Sequence, residues 1–364
     1  MDRELPGREF VRFPDESEKK AAGADLRAAP ECGRKVRVAF VGAGGIAAYH
    51  LANLARIPEA EVVAICDLVP EAIDRAIERV ASGGQELAPT PFADYHEMLD
   101  RQEMDALYVC VPPFAHEDAE LLAARRGVHL FVEKPVALNL DKALEILAAV
   151  RKAGIIASTG YLLRYWESTQ AARRFLSGRD ISLVACDRWS GIPGGPGYWW
   201  RDVKCSGGQL HEMTTHQVDL MRYLAGEIVR VDCRHSKGVL RDQANLTVPD
   251  SQIALLEFAS GAIGYVSNSC VLTRGGHQSR LAFVLRDCVL GWGETLSLNP
   301  ETVCLLPEYP EGALNIDEAF IGAIVGSRPE LVYSPYDEAV RTLAVTVAAR
   351  ESALGRAVVT VPSV

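Results

Sequence analysis

The chain has 364 residues, more than one hydrophobic core usually supports, so two domains are expected. Hydrophobic residues make up 48% of it and charged residues 24%, which is typical of globular proteins. Its formal net charge of −10 argues against a nucleic-acid partner and, more weakly, against an anionic membrane surface, because phosphate binding needs a basic face.

The nine cysteines are dispersed, and none forms a C-x-x-C pair. An odd, scattered set indicates free thiols in a reducing compartment, and we expect no metal site. No apolar run is long enough to cross a membrane, and the N-terminus lacks the apolar stretch of a signal peptide. These features predict a cytoplasmic protein with no membrane partner.

Residues 1–34 differ from the rest of the chain. They are rich in charged residues, Pro, Gly and Ala, and they show no sustained periodicity. The composition favours a flexible extension. An arm that wraps a neighbouring subunit is the alternative.

Strand and helix patterns alternate between residues 35 and 158. Short apolar runs predict buried strands at 36–41, 61–66, 106–111, 128–132 and 155–158. Helical periodicity predicts helices at 45–57, 71–80, 94–99, 115–126 and 140–153. Because this alternation requires parallel strands with helices on both faces, we expect a doubly wound α/β domain over residues 35–158.

The regular alternation of strand and helix patterns ends after residue 160. One strong helix is predicted at 210–224, and two more at 316–325 and 335–351. Short strands are predicted at 253–258, 262–267, 281–285 and 289–292. The pattern indicates a second domain over residues 159–364, with a mostly antiparallel or mixed sheet and helices on one face.

A glycine-rich turn follows the first predicted strand. The segment Gly42-Ala43-Gly44-Gly45-Ile46-Ala47 matches G-x-G-x-x-G/A between a strand and a helix. Such a turn places a dinucleotide pyrophosphate on the helix N-terminus. Asp67 ends the second strand, where an acid binds the ribose 2′-OH. Since this carboxylate would repel a 2′-phosphate and no arginine is adjacent, NAD is expected in preference to NADP.

A lysine follows the strand at 128–132. The carboxyl ends of parallel strands form the edge where doubly wound sheets bind ligands. The segment Glu133-Lys134-Pro135 lies at this edge. An ammonium group there can hydrogen-bond a substrate hydroxyl and stabilise a developing alkoxide, whereas in isolation Lys134 is typical of a surface lysine.

The predicted helix at 210–224 carries a second set of chemical groups. Glu212 and His216 are four residues apart and therefore share a helix face. Asp219 is three residues beyond His216, where its carboxylate can fix the imidazole tautomer. The spacing predicts a proton acceptor at His216. A solvated acidic face with an isolated histidine is the alternative.

In this order, the motifs resemble the glucose–fructose oxidoreductase / inositol dehydrogenase family, also called Gfo/Idh/MocA. The resemblance extends from about residue 36 to residue 359 and implies an N-terminal Rossmann domain, then an α/β domain with a large open sheet that commonly builds dimers or tetramers. The motifs that carry it are Gly42–Ala47, Asp67, Val111-Pro112-Pro113 with His116, Glu133-Lys134-Pro135, Gly160-Tyr161 with Arg164-Tyr165, Gly207–His216 with Asp219, and Ser352–Arg356.

The resemblance also implies residue roles. It makes Lys134 the catalytic lysine, His216 the active-site histidine and Glu212 the acid, although most polyol dehydrogenases of the family carry Asp there. Pro113 stands where Asn is common. The implied substrate contacts are Lys134, Tyr161, Glu212, His216 and Asp219. The expected cofactor contacts are Gly42, Gly44, Gly45, Ile46, Asp67, Pro112, Pro113, His116, Glu133, Lys134, Arg164 and Trp200.

These roles predict an NAD-dependent oxidoreductase that transfers hydride between nicotinamide and a secondary alcohol of a sugar, sugar derivative or cyclitol. A homodimer or homotetramer is expected. One alternative is a redox-neutral glycosidase that oxidises C3 of a glycoside, eliminates the aglycone, adds water and reduces again. Another is a non-catalytic NAD or sugar sensor, against which the intact Lys134 and His216 argue.

Overall fold

The computed structural model describes residues 35–272, 275–299, 302–304 and 314–364, with the backbone alone at 302–304. The predicted extension at residues 1–34 lies outside these ranges. Within them, no helix has the length and apolarity that a membrane crossing needs.

The first sheet is fully parallel, with strand order β3-β2-β1-β4-β5-β6. Its strands are β1 Val36–Val41, β2 Ala60–Cys66, β3 Thr90–Phe92, β4 Ala106–Val109, β5 His129–Val132 and β6 Ala157–Thr159. This order reverses between β1 and β4, which makes a ligand-binding crevice at the carboxyl ends of these strands. The doubly wound prediction is confirmed, although the short β3 was not predicted.

Helices cover both faces of this sheet. They are α1 Gly45–Leu54, α2 Pro70–Ser82, α3 Tyr95–Arg101, α4 Ala119–Arg125 and α5 Leu140–Ala153. Alternate residues of β1 enter two separate apolar cores, Phe40 on one face and Ala39 on the other. Helix α4 begins later than predicted because the prolines before it form a short 3-10 turn at Pro113–Ala115.

The second sheet contains, among the described residues, strands in the order β14-β13-β12-β11-β7-β10-β9-β8-β15. They are β7 Ile181–Trp189, β8 Ile228–Ser236, β9 Ser251–Phe258, β10 Ile263–Ser269, β11 Gln278–Leu285, β12 Val289–Trp292, β13 Leu296–Leu298, β14 Thr302–Cys304 and β15 Val359–Thr360. Only β7 and β10 pair in parallel within the described sheet, which confirms a mostly antiparallel second sheet.

One face of the second sheet packs against helices, and the other is open. The helices of this region are α6 Glu167–Leu176, α7 Val203–Ser206, α8 Gln209–Glu212, α9 Thr215–Ala225, α10 Ile316–Gly326 and α11 Tyr336–Gly355. Val184 and Cys186 of β7 lie on the helix-covered face in the second-sheet core. Neither α6 nor the central strand β7 was predicted.

The helix predicted at 210–224 is wrong as one continuous element. It is broken into α8 and α9, because the Thr214 backbone N–H bonds to the Gln209 carbonyl at 2.9 Å, five residues back. Thr214 then stands at the N-cap position of α9. The apolar spacing continues across the break, which explains why the sequence reads as one helix.

The end of the chain returns to the first sheet. Helix α10 packs there, with the Phe320 ring centroid 5.7 Å from those of Tyr108 and Phe131. Helix α11 follows and buries Val340 in the first-sheet core and Val345 in the second-sheet core. The predicted division at residue 158 leaves out this return, which couples the two sheets.

Candidate active site

The glycine turn between β1 and α1 leaves room for a phosphate group. Gly42 has φ +99°, and a Cβ there would lie 2.6 Å from the Cys110 carbonyl oxygen, so only glycine fits. A Cβ on Gly44 or Gly45 would meet nothing within 4 Å. The N-terminus of α1 has no side-chain cap. Its backbone N–H groups are therefore suited to a pyrophosphate, and the turn fits NAD.

Asp67 holds this turn from the end of β2. Its Oδ2 accepts a hydrogen bond from the Ala43 backbone N–H at 2.8 Å, and its Oδ1 accepts one from Val69 at 2.9 Å. The next residue, Leu68, is 89% exposed and supplies no positive charge. A ribose with free hydroxyls fits beside this carboxylate better than a 2′-phosphate does.

His116 supports the chain segment that follows β4. Its Nε2 lies 3.1 Å from the Val111 carbonyl oxygen, and its Nδ1 lies 2.6 Å from Glu120 Oε1. The ring is buried, so His116 braces the segment that carries Pro112 and Pro113.

Lys134 and Glu212 meet between the two sheets. The Lys134 Nζ donates to Glu212 Oε1 at 2.7 Å and to the Glu212 carbonyl oxygen at 3.0 Å. The two side chains are 15% and 9% exposed. Glu212 Oε2 is buried and has no hydrogen-bond partner among the described residues. The pair thus places an ammonium and an unused carboxylate oxygen at the edge of the first sheet.

His211, which was not predicted, fixes the helix that carries Glu212. Its Nε2 lies 3.0 Å from the Ala137 carbonyl oxygen, and its Nδ1 lies 3.0 Å from Thr346 Oγ1. Burial lowers the pKa of His211 to about 4, so the ring is neutral. Helix α8 is thereby tied both to the segment after Lys134 and to α11.

His216 lies near this pair with a neutral ring. Burial lowers its pKa well below the usual value, and the charges of Lys134 and Arg188 lower it further. Its Nδ1 has no hydrogen-bond partner in the described ranges. The Tyr161 ring packs edge-on against it at 5.9 Å, while the Tyr161 hydroxyl bonds to Thr215 Oγ1 at 2.9 Å. Tyr161 thus positions His216 from within the core.

The predicted partnership of Asp219 with His216 is wrong. Both Asp219 oxygens accept hydrogen bonds from Arg164, at 2.7 and 2.8 Å, and Oδ1 also accepts one from Thr342 at 2.9 Å. Arg164 is 1% exposed and also donates to the Tyr333 carbonyl oxygen at 2.8 Å. Arg164 and Asp219 therefore join α9 to α11 through a buried ion pair.

Trp200 is also buried, at 1% exposure, in a small apolar cluster with Leu240, Val248 and Cys270. Its Nε1 has no hydrogen-bond partner among the described residues. This packing explains its conformation without a cofactor.

Ile46 is half-buried at the start of α1, on the side of the glycine turn.

Glu133 is held by a buried charge network that the sequence did not reveal. His50 Nε2 lies 3.0 Å from Glu133 Oε1, and its Nδ1 lies 2.7 Å from Asp317 Oδ1. Burial alone would lower the pKa of His50, but the Asp317 and Glu133 carboxylates outweigh it and raise the pKa to about 10. Glu133 Oε2 accepts from the Lys134 backbone N–H at 3.1 Å. The histidinium therefore braces the lysine segment.

Arg188 also belongs to the site, although the sequence patterns did not predict it. It lies near the end of β7, is half-buried, and contributes to the lowered pKa of His216. Its strand was not recognised because β7 has only a short continuous apolar run. A charged residue at the end of a central strand is the signal that would have found it.

We expect the His50 network to make stability pH-dependent. Because the folded pKa of His50 is about 10 and the ordinary value is 6.5, its contribution is fully present below pH 6.5 and is lost as pH rises toward 10. The free energy of unfolding should fall by up to about 1.4 kcal/mol per pH unit in this window. Urea unfolding from pH 6.5 to about 8.5, below most thiol and phenol titrations, measures the slope.

His50→Gln keeps a hydrogen-bonding side chain but cannot titrate, so its slope should be flatter. The matched control is His96→Gln on α3, whose side chain is 52% exposed. Equal slopes for wild type and His50→Gln would show that His50 is neutral in the folded protein.

Comparison with known proteins identifies this arrangement. Residues 36–161 match the model of the GFO_IDH_MocA oxidoreductase family with an NAD-binding Rossmann fold, and residues 180–285 match a C-terminal domain of that family. The chain belongs to the Gfo/Idh/MocA family. It is an NAD-dependent oxidoreductase, as the sequence predicted.

Two similar members of the family are named as cyclitol dehydrogenases. The chain is 30% identical to scyllo-inositol 2-dehydrogenase (NAD(+)) of Bacillus subtilis, over 65% of this chain and 67% of that protein. It is 29% identical to myo-inositol 2-dehydrogenase of Thermotoga maritima, over 64% of this chain and 68% of that protein. The fold resembles a levoglucosan dehydrogenase in complex with NADH, with a TM-score of 0.79, 19% identity, and coverage of 91% and 100% of the two chains.

Proposed function

We propose that this Gfo/Idh/MocA protein reversibly oxidises a secondary alcohol of a sugar, sugar derivative or cyclitol, with NAD as hydride acceptor. The observation that carries the proposal is the convergence of Lys134, Glu212 and His216 at the carboxyl edge of the first sheet. Glu212 Oε2 and His216 Nδ1 have no partners among the described residues, and a substrate hydroxyl supplies both a donor and an acceptor. The named cyclitol dehydrogenases among its relatives support this substrate class.

The three side chains have complementary roles. The Lys134 ammonium donates a hydrogen bond to the substrate oxygen and stabilises the negative charge that develops there. The neutral His216 ring accepts the hydroxyl proton. Glu212 holds Lys134 through Oε1 and binds a second substrate hydroxyl through Oε2. When bound, NAD supplies the hydride acceptor at C4 of its nicotinamide.

Lys134→Ala and His216→Ala should each lower kcat by about 10²-fold or more, the usual scale for positioned acid–base groups. Because the pKa of His216 is lowered, wild-type kcat/KM should not decline until the pH falls below the ordinary histidine range. Steady-state NADH absorbance with a panel of sugars and cyclitols measures both effects.

The matched controls are Lys152→Ala, on the exposed surface of α5, and His235→Ala, on the exposed end of β8. Both should retain wild-type turnover. NAD affinity, measured by calorimetry, should be nearly unchanged in His216→Ala because His216 lies on α9, outside the predicted NAD-binding domain. Near-normal turnover in either active-site variant would refute the assigned role.

The unpartnered Oε2 of Glu212 favours one alternative function. A carboxylate free to exchange protons beside an oxidised sugar suits a redox-neutral glycosidase, in which oxidation at C3 is followed by elimination, hydration and reduction. Glu212 would then serve the elimination and hydration steps. Release of the aglycone without net NADH formation distinguishes this reaction from simple dehydrogenation.

Glu212→Gln separates the two functions. The substitution keeps the size and hydrogen-bonding capacity of the side chain but removes its charge. For a dehydrogenase, loss of one charge-assisted hydrogen bond should lower kcat/KM by roughly 10- to 150-fold through a slower hydride step. For a glycosidase, NADH should accumulate in a single turnover while aglycone release stops. If every step is unchanged, Glu212 has neither role.

We also infer that the protein forms a homodimer or homotetramer through the open face of the second sheet. Adjacent strands present Ile253, Leu255 and Ile263 there, at 48%, 58% and 58% exposure. Tyr265 pairs with Leu255 across the strands on the same face. A contiguous apolar surface of this kind is typical of a protein interface.

Leu255→Glu should weaken this assembly because it places a charge in the centre of the apolar patch. Analytical ultracentrifugation should detect a dimer or tetramer for wild type and a smaller species for the variant. The control is Leu354→Glu, at an exposed leucine near the end of α11. A monomeric wild type, or an unchanged mass for Leu255→Glu, would contradict the interface.

A further inference from the structure

Arg188 occupies a specific place beside the three catalytic groups. Side chains of β7 alternate between its two faces, and Val184 and Cys186 are buried on the face covered by helices. Arg188 therefore points to the same face, toward α8 and α9. Its backbone neighbour on β10 is Asn268, whose amide donates to Thr214 Oγ1 at 3.4 Å, at the break between these helices. The strand register thus places Arg188 at the helix break that separates Glu212 from His216.

The charge of Arg188 is not balanced by the protein around it. Among the described residues, no carboxylate lies within ion-pair distance of its guanidinium. Among the described residues, its side-chain hydrogen-bond partner is the Nε2 atom of the exposed His277. Glu212 is near enough to act on Arg188 electrostatically, but its Oε1 is paired with Lys134. The site thus holds one positive charge in excess.

We propose that Arg188 binds a carboxylate of the substrate, so that the protein acts on a sugar acid, such as a uronate or aldonate, and not on a neutral sugar or cyclitol. This inference rests on the proposed dehydrogenase function. An arginine guanidinium presents a planar fork that matches a carboxylate. A single negative charge balances the excess in the site, whereas a phosphate would bring a second negative charge close to Glu212.

Binding of the acid also affects the proton acceptor. Arg188 is one of two cations that lower the pKa of His216. A carboxylate on Arg188 cancels part of that effect and makes His216 a stronger base when the substrate is present. A neutral sugar leaves the positive charge of Arg188 unbalanced, so the pKa of His216 stays low. Acid substrates therefore gain in both binding and proton transfer.

The reaction remains a dehydrogenation. The carbinol C–H bond breaks and its hydride passes to NAD⁺, the O–H proton passes to His216, and the carbon–oxygen bond becomes a carbonyl. The substrate carboxylate is unchanged and serves only for recognition.

The test compares matched acids and neutral compounds. The pairs are D-glucuronate with D-glucose, D-galacturonate with D-galactose, and D-gluconate with D-glucitol, together with myo-inositol and D-glucose 6-phosphate. Initial rates of NADH formation are measured for wild type, Arg188→Met and Arg174→Met, the last at an exposed arginine on α6. Methionine keeps the apolar stem of arginine and removes its charge.

Wild type should prefer at least one acid over its neutral partner. Arg188→Met should lower kcat/KM for that acid by roughly 10- to 150-fold, the effect of one lost charge-assisted hydrogen bond. It should not lower kcat/KM for the neutral compounds, because loss of the guanidinium also removes a charge that lowers the pKa of His216. Arg174→Met should match wild type. The same acid should raise the Tm of NADH-loaded wild type but not that of NADH-loaded Arg188→Met.

Other outcomes overturn the inference in distinguishable ways. If neutral compounds are the better substrates and Arg188→Met turns them over like wild type, the acid assignment fails while the dehydrogenase function stands. A preference for D-glucose 6-phosphate that Arg188→Met abolishes would replace the carboxylate with a phosphate. If no acid or neutral compound is oxidised although NAD binds, the proposed function fails and the inference fails with it.

Discussion

The ion pair between Lys134 and Glu212 determines how the two halves of the molecule meet. One partner follows a strand of the first sheet and the other ends a short helix beside the second, 78 residues later. Both side chains are largely removed from water, and a charge in such a position is strongly unfavourable without its partner. The contact that positions the ammonium for chemistry therefore also joins the first sheet to the helices that cover the second.

The lysine segment depends in turn on the last part of the chain. Asp317 of α10 accepts hydrogen bonds from Tyr108 at 3.1 Å and from Asn53 at 2.7 Å, besides its contact with His50. Behind Glu133, a Cβ on Gly160 would lie 2.3 Å from the carboxylate, so glycine is required there. The order of the site thus depends on residues packed behind Lys134 and Glu212.

Local patterns were enough to predict the first sheet, the turn at Gly42 and the acid at Asp67, because each depends on a few adjacent residues. The site was predicted less completely, because its decisive contacts join distant parts of the chain. The spacing of His216 and Asp219 suggested a pair. The Asp219 carboxylate instead accepts hydrogen bonds from Arg164, which lies 55 residues earlier in the chain. The return of α10 to the first sheet left no local signal.

The replacement of the common aspartate by Glu212 has a geometric consequence. One more methylene lets the carboxylate bond Lys134 through one oxygen while its backbone carbonyl bonds the same ammonium. The second oxygen then remains for a ligand. Besides burial, the positive charges of Lys134 and Arg188 both lower the pKa of His216. A substrate carboxylate at Arg188 therefore raises the basicity of the proton acceptor, which links substrate recognition to proton transfer through charge.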